Sequence, residues 1–490
     1  MGCIVSGPGM GGAREQSLSA GSRTHQHPSS HGSVLRLALC LFAGALLATA
    51  LLVAWSCKTT RSGVVPLSGN SGGLNISSAE GAESRPEPMM RVRIARQVDS
   101  AEIEGRGPWL IAVEGARTGE ILTGPLTISS SAGGIRVADV SGHIRGFGPG
   151  TPVYAGPVQR RGEQAGNEII NLGGYRYPGT LRIVPIESDQ NAFDVVNVVE
   201  VERYIPGVIS KEIFPHWDET TFMVQAVAAR TYALQRREGA RKAGRHYDVD
   251  DSTMDQVYGG LTGQRVALRA TEATRGVVLT NGSRLGEALY SAVCGGKPAL
   301  AEEIWPKEIA PVTIQNVRYS AATPPPKYVD LGLFRKIYCQ NAQWYEWEVA
   351  RRTDELTKRL QAWGMDRKHD LAKLGTLRSV EVVQRTQTGR SMLVKVTDTK
   401  GESVTLTAEQ LRNAANFAVN GLPDLTSVAR VHSNDFEVRV GRGVTVFKGS
   451  GHGHGVGMCQ NCAEGMAERG DDWRTILQTF YPELQVTRIY

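Results

Sequence analysis

Two hydrophobic periods divide this chain, and the order in which they occur bounds its fold. From about Met90, "RVRIARQVDSAEIEG" alternates apolar and polar residues as a strand does, and "WLIAVEG", "ILTGPLTISSS", "GIRVADVSG", "TLRIVPI" and "FDVVNVVEVERYI" continue that pattern. At Asp218 the period changes. "ETTFMVQAVAARTYALQRREG" reads as one long helix, with Asp218 as its N-cap and Gly239 as its stop. Strands are expected near 276–293 and 377–407, a helix-like stretch from about Leu333 to Trp363, and a last helix inside 460–480. Segregated strands and helices predict an α+β fold of mixed strands and helices, in two packed subdomains with a cleft. A β-rich part would span 90–200 and the core 201–490.

The chain upstream has a different composition. Residues 1–33 are rich in Gly, Ser and His and read as disordered. Leu37 to Trp55 is an uncharged apolar run preceded by Arg36, long enough at about 1.5 Å per residue to cross a hydrocarbon core of roughly 30 Å. Segment 34–56 is therefore expected to be one hydrophobic helix, a signal anchor or signal peptide. "VAWSCK" also resembles a lipoprotein signal ending at Cys57. Segment 57–89 has the Ser/Gly/Pro/Glu composition of a flexible linker. "MGCIVS" fits an N-myristoylation pattern, but that signal belongs to cytosolic eukaryotic proteins and conflicts with export. The expected location is extracytoplasmic, with the membrane contacted through the N-terminal segment. The net charge of +6 is spread along the chain without a basic–aromatic patch, which argues against nucleic acid as a partner.

Three stretches carry chemistry. In "YIPGVISKEIFPHWDETTFMVQAVAARTYAL", Glu212 is expected in a short loop before the long helix, among Ile213, Phe214, Pro215 and Trp217. Apolar neighbours desolvate a carboxyl and raise its pKa, which suits a general acid. The plainer reading is a surface glutamate at a helix start. Gln225, Ala229 and Tyr232 share one stripe of that helix, with Arg230 beside it. In "ALYSAVCGGKPALAEEIWP", glycines after Cys294 permit tight turning and close backbone approach. In "GSGHGHGVGMCQNC", glycines alternate with other residues from Gly449 to Gly457. One side of the segment would then be bare for a sugar or a strand, and His454 could handle a proton near neutrality.

Taken together and in this order, these blocks resemble the signatures of the SpoIID/LytB family, the sporulation protein SpoIID and the amidase-enhancer LytB domain. "FYPELQVTRI" and "QTGR" at Gln387–Arg390 resemble two further family segments, and the resemblance covers about residues 90–490. Pro215 is shifted by one from the family pattern, and Asn461 and Cys462 replace an aromatic residue and a glycine. The resemblance implies a lytic transglycosylase acting on denuded glycan strands of peptidoglycan, with Glu212 as general acid/base. Arg230, Tyr232, Ser291, Gly295, His454 and Gln460 would surround the glycan. Asp218, Glu219, Asp248 and Asp250 stand as candidates should water be the nucleophile. The alternative is a non-catalytic glycan-binding enhancer of a cell-wall amidase.

Neither activity requires a cofactor. Of seven cysteines, Cys294, Cys339, Cys459 and Cys462 fall in the exported part. Two disulfides, a structural zinc site, a redox pair at the C-x-x-C and unpaired thiols are all compatible with that spacing.

Overall fold

The computed structural model describes residues 86–116, 118–158, 169–306 and 338–490. The expected disordered terminus, hydrophobic segment, nearly all of the linker, Cys57 and residues 333–337 of the expected helix lie outside these. Among the described residues no helix is long and apolar enough to cross a membrane.

The fold is α+β. Strand Met89–Val98 pairs antiparallel with Asp189–Glu200, placing Met90 opposite Val199 and Val92 opposite Asn197. Met90 and Val92 are fully buried. The intervening Arg91 and Arg93 point the other way, onto Asp248 and Asp250, which lie just before and within the short strand Val249–Asp250 that pairs in parallel along the same edge. A one-residue slip would bury both arginines, so the pleat and these ion pairs fix the register together. From that edge the sheet of eleven strands runs on through Thr180–Ile186, Val153–Pro157, Ser100–Val113 and Glu120–Ser131.

Strand Asp189–Glu200 runs straight into helix α1, Val201–Glu212. Val201, Tyr204, Ile205, Val208 and Ile209 are all fully buried, a stripe at helical spacing. The strand expected over "VEVERYI" therefore ends at Glu200. Helix α2, Glu219–Lys242, is the central rod. The Asp218 carboxylate accepts from the Thr220 amide at 2.7 Å. The Glu464 carboxylate accepts from the Asp218 amide at 3.1 Å and the Thr221 hydroxyl at 2.6 Å, so the positive end of α2 holds two acids. Asp218→Ala is expected to cost about 1 kcal/mol, readable as a lower midpoint in thermal melts. Gly239 does not stop the helix; the chain leaves through Gly244, whose φ of 69° supplies the left-handed exit. The fully buried alanines 226, 228, 229 and 233 let neighbours approach α2 closely.

Six shorter helices complete the described fold: α3 (Arg265–Ala273), α4 (Ala301–Ile304), α5 (Thr353–Arg367), α6 (Ala408–Ala415), α7 (Gln460–Ala467) and α8 (Trp473–Phe480). The helix expected to reach from Leu333 to Trp363 begins only at Thr353, after strand Glu346–Arg352, whose strict buried/exposed alternation marks it as sheet. The single helix expected inside 460–480 is two, broken at Gly470, with φ 92°.

The hydrophobic side chains form separate cores. One joins the large sheet to α1 and the inner face of α2. A second joins the other face of α2 to strand Val277–Asn281, α7 and α8. A third belongs to residues 347–447, which fold on their own apolar cluster of Trp347, Leu360, Val394, Leu411 and Phe447. This module sits on an antiparallel stem in which Glu346 faces Ser450, and the Gly451 amide bonds the Tyr345 carbonyl at 3.0 Å.

Candidate functional site

Glu212 is the last residue of α1, not a loop residue, and its side chain is wholly buried. It therefore lies beneath the surface, not on the wall of an open cleft. Burial pushes its carboxyl up to about 8, with nearby Gln460 and Tyr290 opposing the shift. Neither makes a well-formed hydrogen bond to it, and both carboxyl oxygens stay unpaired. Its position at a helix C-terminus adds to this, because the negative end of the peptide dipole disfavours a carboxylate.

The surroundings are amides and phenols. Gln460, first residue of α7, donates to the Gln225 side-chain oxygen of α2 at 3.3 Å. The remaining oxygen of Gln460 and nitrogen of Gln225 have no partner. The Tyr290 hydroxyl accepts from Gln256 at 3.0 Å, and Gln256 accepts from Tyr204 of α1 at 3.1 Å. Ser291, opposite Cys459 in the short parallel pairing, has a buried hydroxyl with no partner. Five unpaired polar atoms on Glu212, Gln225, Gln460 and Ser291 thus lie on elements that meet around one carboxyl. Native interiors leave few such groups, and a concentration of them marks a place organised for something other than stability. A protonated Glu212 supplies a donor in a neighbourhood that holds the orphan Gln460 oxygen.

The glycine ribbon is closed. Gly451, Gly453, Gly455 and Gly457 all have positive φ, but protein fills the space beside them. A methyl at Gly455 would stand 2.6 Å from the Arg390 guanidinium carbon, and one at Gly451 2.6 Å from the Val293 carbonyl oxygen. Of the two occupants expected on the bare side, a sugar or a strand, neighbouring chain takes the place. Arg390, fully buried, donates to the carbonyls of Cys294, Lys297 and Gly453 at 3.0 Å each and so ties the Cys294 loop to the ribbon. Gly295, with φ 63°, packs against Ser450 and Gly451. His454 is buried, its Nδ1 accepting from the Val456 amide at 3.0 Å and its ring 5.2 Å from that of Trp305.

Two expected substrate residues serve the framework. The guanidinium of Arg230 is fully buried and donates to Glu202 at 3.0 and 2.6 Å and to the Val277 carbonyl at 3.0 Å. It clamps α2 to α1. Tyr232 donates to Asp255 at 3.3 Å beneath the Arg236 guanidinium. The four carboxylates considered for water activation are also engaged: Asp218 caps α2, Glu219 pairs with Arg269, Asp248 with Arg91 and Arg241, and Asp250 with Arg93. Tyr290, Gln225 and Gln256 were not among the expected site residues. Tyr290 carries a local signal, since it adjoins Ser291 in the strand ahead of the Cys-Gly-Gly turn; Gln256 carries none. The four cysteines converge, with all sulfurs within 4.8 Å of one another.

Fold and site together define a protein with a long alanine-lined helix, a closed glycine ribbon, and a buried carboxyl at the end of α1 beside Gln460 and Tyr290. The family described as "Stage II sporulation protein", SpoIID, matches residues 189–281, the segment holding that carboxyl. A domain of unknown function, DUF8618, matches residues 332–457, where the separately cored module lies. An uncharacterized protein of Brachyspira hyodysenteriae is 29% identical over 64% of this chain and 72% of its own length. The "Amidase enhancer" of Bacillus subtilis is 28% identical over 58% of this chain and 40% of its own, so the chain spans well under half of that relative. The "Stage II sporulation protein D" of Bacillus amyloliquefaciens is 24% identical over 60% and 75%. The match over residues 189–281 and the names of these relatives support the resemblance to the SpoIID/LytB family.

Proposed function

We propose that this chain is an exported, membrane-held enzyme that cleaves the glycan strands of peptidoglycan as a lytic transglycosylase, with Glu212 as its one acid/base. The observation that carries the reading is the Glu212 carboxyl, which keeps its proton at neutral pH because burial raises it to about 8. The neutral carboxyl donates its proton to the glycosidic oxygen as the C1–O bond breaks. The carboxylate left behind then takes the proton of the same sugar's 6-hydroxyl, whose oxygen closes on C1 to form a 1,6-anhydro ring. The proton lent in the first half returns in the second, so no second carboxylate is needed. That agrees with the engagement of Asp218, Glu219, Asp248 and Asp250 elsewhere. Gln460 and Tyr290 stand beside the carboxyl, and catalysis requires the cover over Glu212 to open to a glycan chain.

Product analysis after incubation with denuded glycan tests the reading: anhydro-muramic ends are expected, and their absence from an otherwise glycan-binding protein would count against it. The pH profile supplies a second test. The acid must enter protonated, so kcat/KM is expected to hold below about pH 8 and fall about tenfold per unit above it. A rate still climbing between pH 8 and 10 would exclude Glu212 as the acid.

A second reading, a glycan-binding enhancer of a cell-wall amidase, draws on the complete burial of Glu212 and on the name of the Bacillus subtilis relative. It predicts that a Glu212→Gln protein stimulates an amidase as well as the wild type does.

A further inference from the structure

We propose that Cys294, Cys339, Cys459 and Cys462 form a structural zinc site that fastens three separate chain segments beside Glu212. All four side chains are buried, none exposed above 2%. No two are joined in a disulfide. Their sulfurs all lie within 4.8 Å of one another, and those of Cys294 and Cys339 are 3.7 Å apart. A tetrahedral ion with Zn–S bonds of about 2.3 Å sets its sulfurs about 3.8 Å apart, close to that separation. Disulfides need about 2.05 Å between two sulfurs and impose no reason for a second pair to crowd the first. A polynuclear iron–sulfur cluster places metals and sulfides between its cysteines and needs a wider frame than this knot offers.

The surroundings suit anionic sulfur. The Cys294 amide donates to the Cys459 sulfur at 3.3 Å, an outer hydrogen bond of the kind that orients and stabilises a metal-bound thiolate. Cys459 and Cys462 flank the start of α7, whose N-terminal amides favour negative charge. The buried Arg390 guanidinium is joined to the same loop through the Cys294 carbonyl. Four thiols without metal would leave this packed region with weak, ill-matched S–H contacts; one dication converts them into four ligands of a closed site.

The placement gives the site a role. Cys294 follows the strand that carries Tyr290 and Ser291, Cys459 and Cys462 bracket Gln460, and Cys339 lies on the chain leading into the separately cored module. One ion would hold Gln460 and Tyr290 at a fixed spacing and fasten the module to the core. The assignment of the metal does not depend on the chemistry proposed for Glu212.

The full-length chain, purified without added metal, decides the matter by elemental analysis and by mass-spectrometric mapping of unreduced peptides. One zinc per chain, with all four cysteines unpaired, is expected. A disulfide among the four, stoichiometric iron, or a folded protein free of metal would overturn the proposal. Cys339→Ser tests the geometry, since Cys339 is remote from the Glu212 carboxyl in sequence and adjoins none of its neighbours. Zinc affinity is expected to fall by more than the roughly 10–100-fold that loss of an outer partner costs. Undiminished zinc binding by this variant would remove Cys339 from the set and overturn the four-cysteine site. Should the variant fail to fold, X-ray absorption on the wild type decides instead: four sulfurs at about 2.3 Å support the site, and nitrogen or oxygen in the shell overturns it.

Discussion

Glu212→Gln is expected to abolish formation of anhydro-muramic ends while making the protein more stable at neutral and alkaline pH. The two effects share one cause. The unfolded carboxyl titrates near its ordinary value of 4.5, while burial holds the folded one to about 8. Below pH 4.5 both states are neutral and the carboxyl costs nothing extra. As pH rises from there to about 8, the unfolded chain releases a proton that the folded protein keeps. Stability then falls by up to about 1.4 kcal/mol per unit, and levels off above the folded value. Glutamine has nearly the same shape and no proton to lose, so the penalty disappears. Its amide also brings donors to a site where a Gln460 oxygen lacks one. Melts at pH 5, 7 and 9 should show the variant gaining on the wild type as pH rises, by an amount on the order of a few kcal/mol at the top of the range. The rate on denuded glycan should drop about 10²–10⁴-fold, the usual worth of a positioned general acid. Equal stability at all three pH values would mean that the carboxyl is solvated in the free protein; undiminished product would mean that another group supplies the proton.

Arg230→Met should have the largest effect on folding. Arg230 and Glu202 are a buried ion pair joining α2 to α1, with the Tyr490 hydroxyl and Gly276 amide completing the carboxylate's partners. Removing the cation strands Glu202 in the interior, and such a loss costs about 3–5 kcal/mol. Pairing the change with Glu202→Leu should recover much of that, because the second substitution removes the stranded charge. Denaturant titration of the single and double variants measures both. Activity per folded molecule should be little changed in the double variant. A stable but inactive Arg230→Met protein would return Arg230 to the substrate and contradict its role as a clamp.

Arg230 also shows where sequence reasoning stops. It stands beside the Gln225–Tyr232 stripe, and its partner lies on a helix that the sequence disguises. The valines of "VVNVVEVERYI" favour strand, yet Val201 onward is helical because its apolar residues recur at helical spacing once tertiary packing can use them. The raised pKa of Glu212 was legible, since Ile213, Phe214 and Trp217 announce a desolvated environment. Its place at the end of α1 was not. The α+β class followed from the change of period at Asp218, and the Asp218 cap from the residue type. Closure of the glycine ribbon was hidden, because the filler is Arg390, distant in sequence and noticed only as part of a short weak motif. The C-x-x-C could be seen at once, whereas the arrival of Cys294 and Cys339 at the same point needed the fold.

The stem beneath the 347–447 module has a bearing on how such a chain is assembled. Because Glu346 and Ser450 are strand partners, the chain departs from the core and returns to it at neighbouring points, like a branch grafted at a single node. A graft of this kind can be lengthened, exchanged or trimmed while the parent trunk keeps its shape. Its returning limb, however, runs without interruption into the glycines beside His454. Strain on the outlying module would therefore pass straight into the ribbon beside His454 without crossing the rest of the trunk.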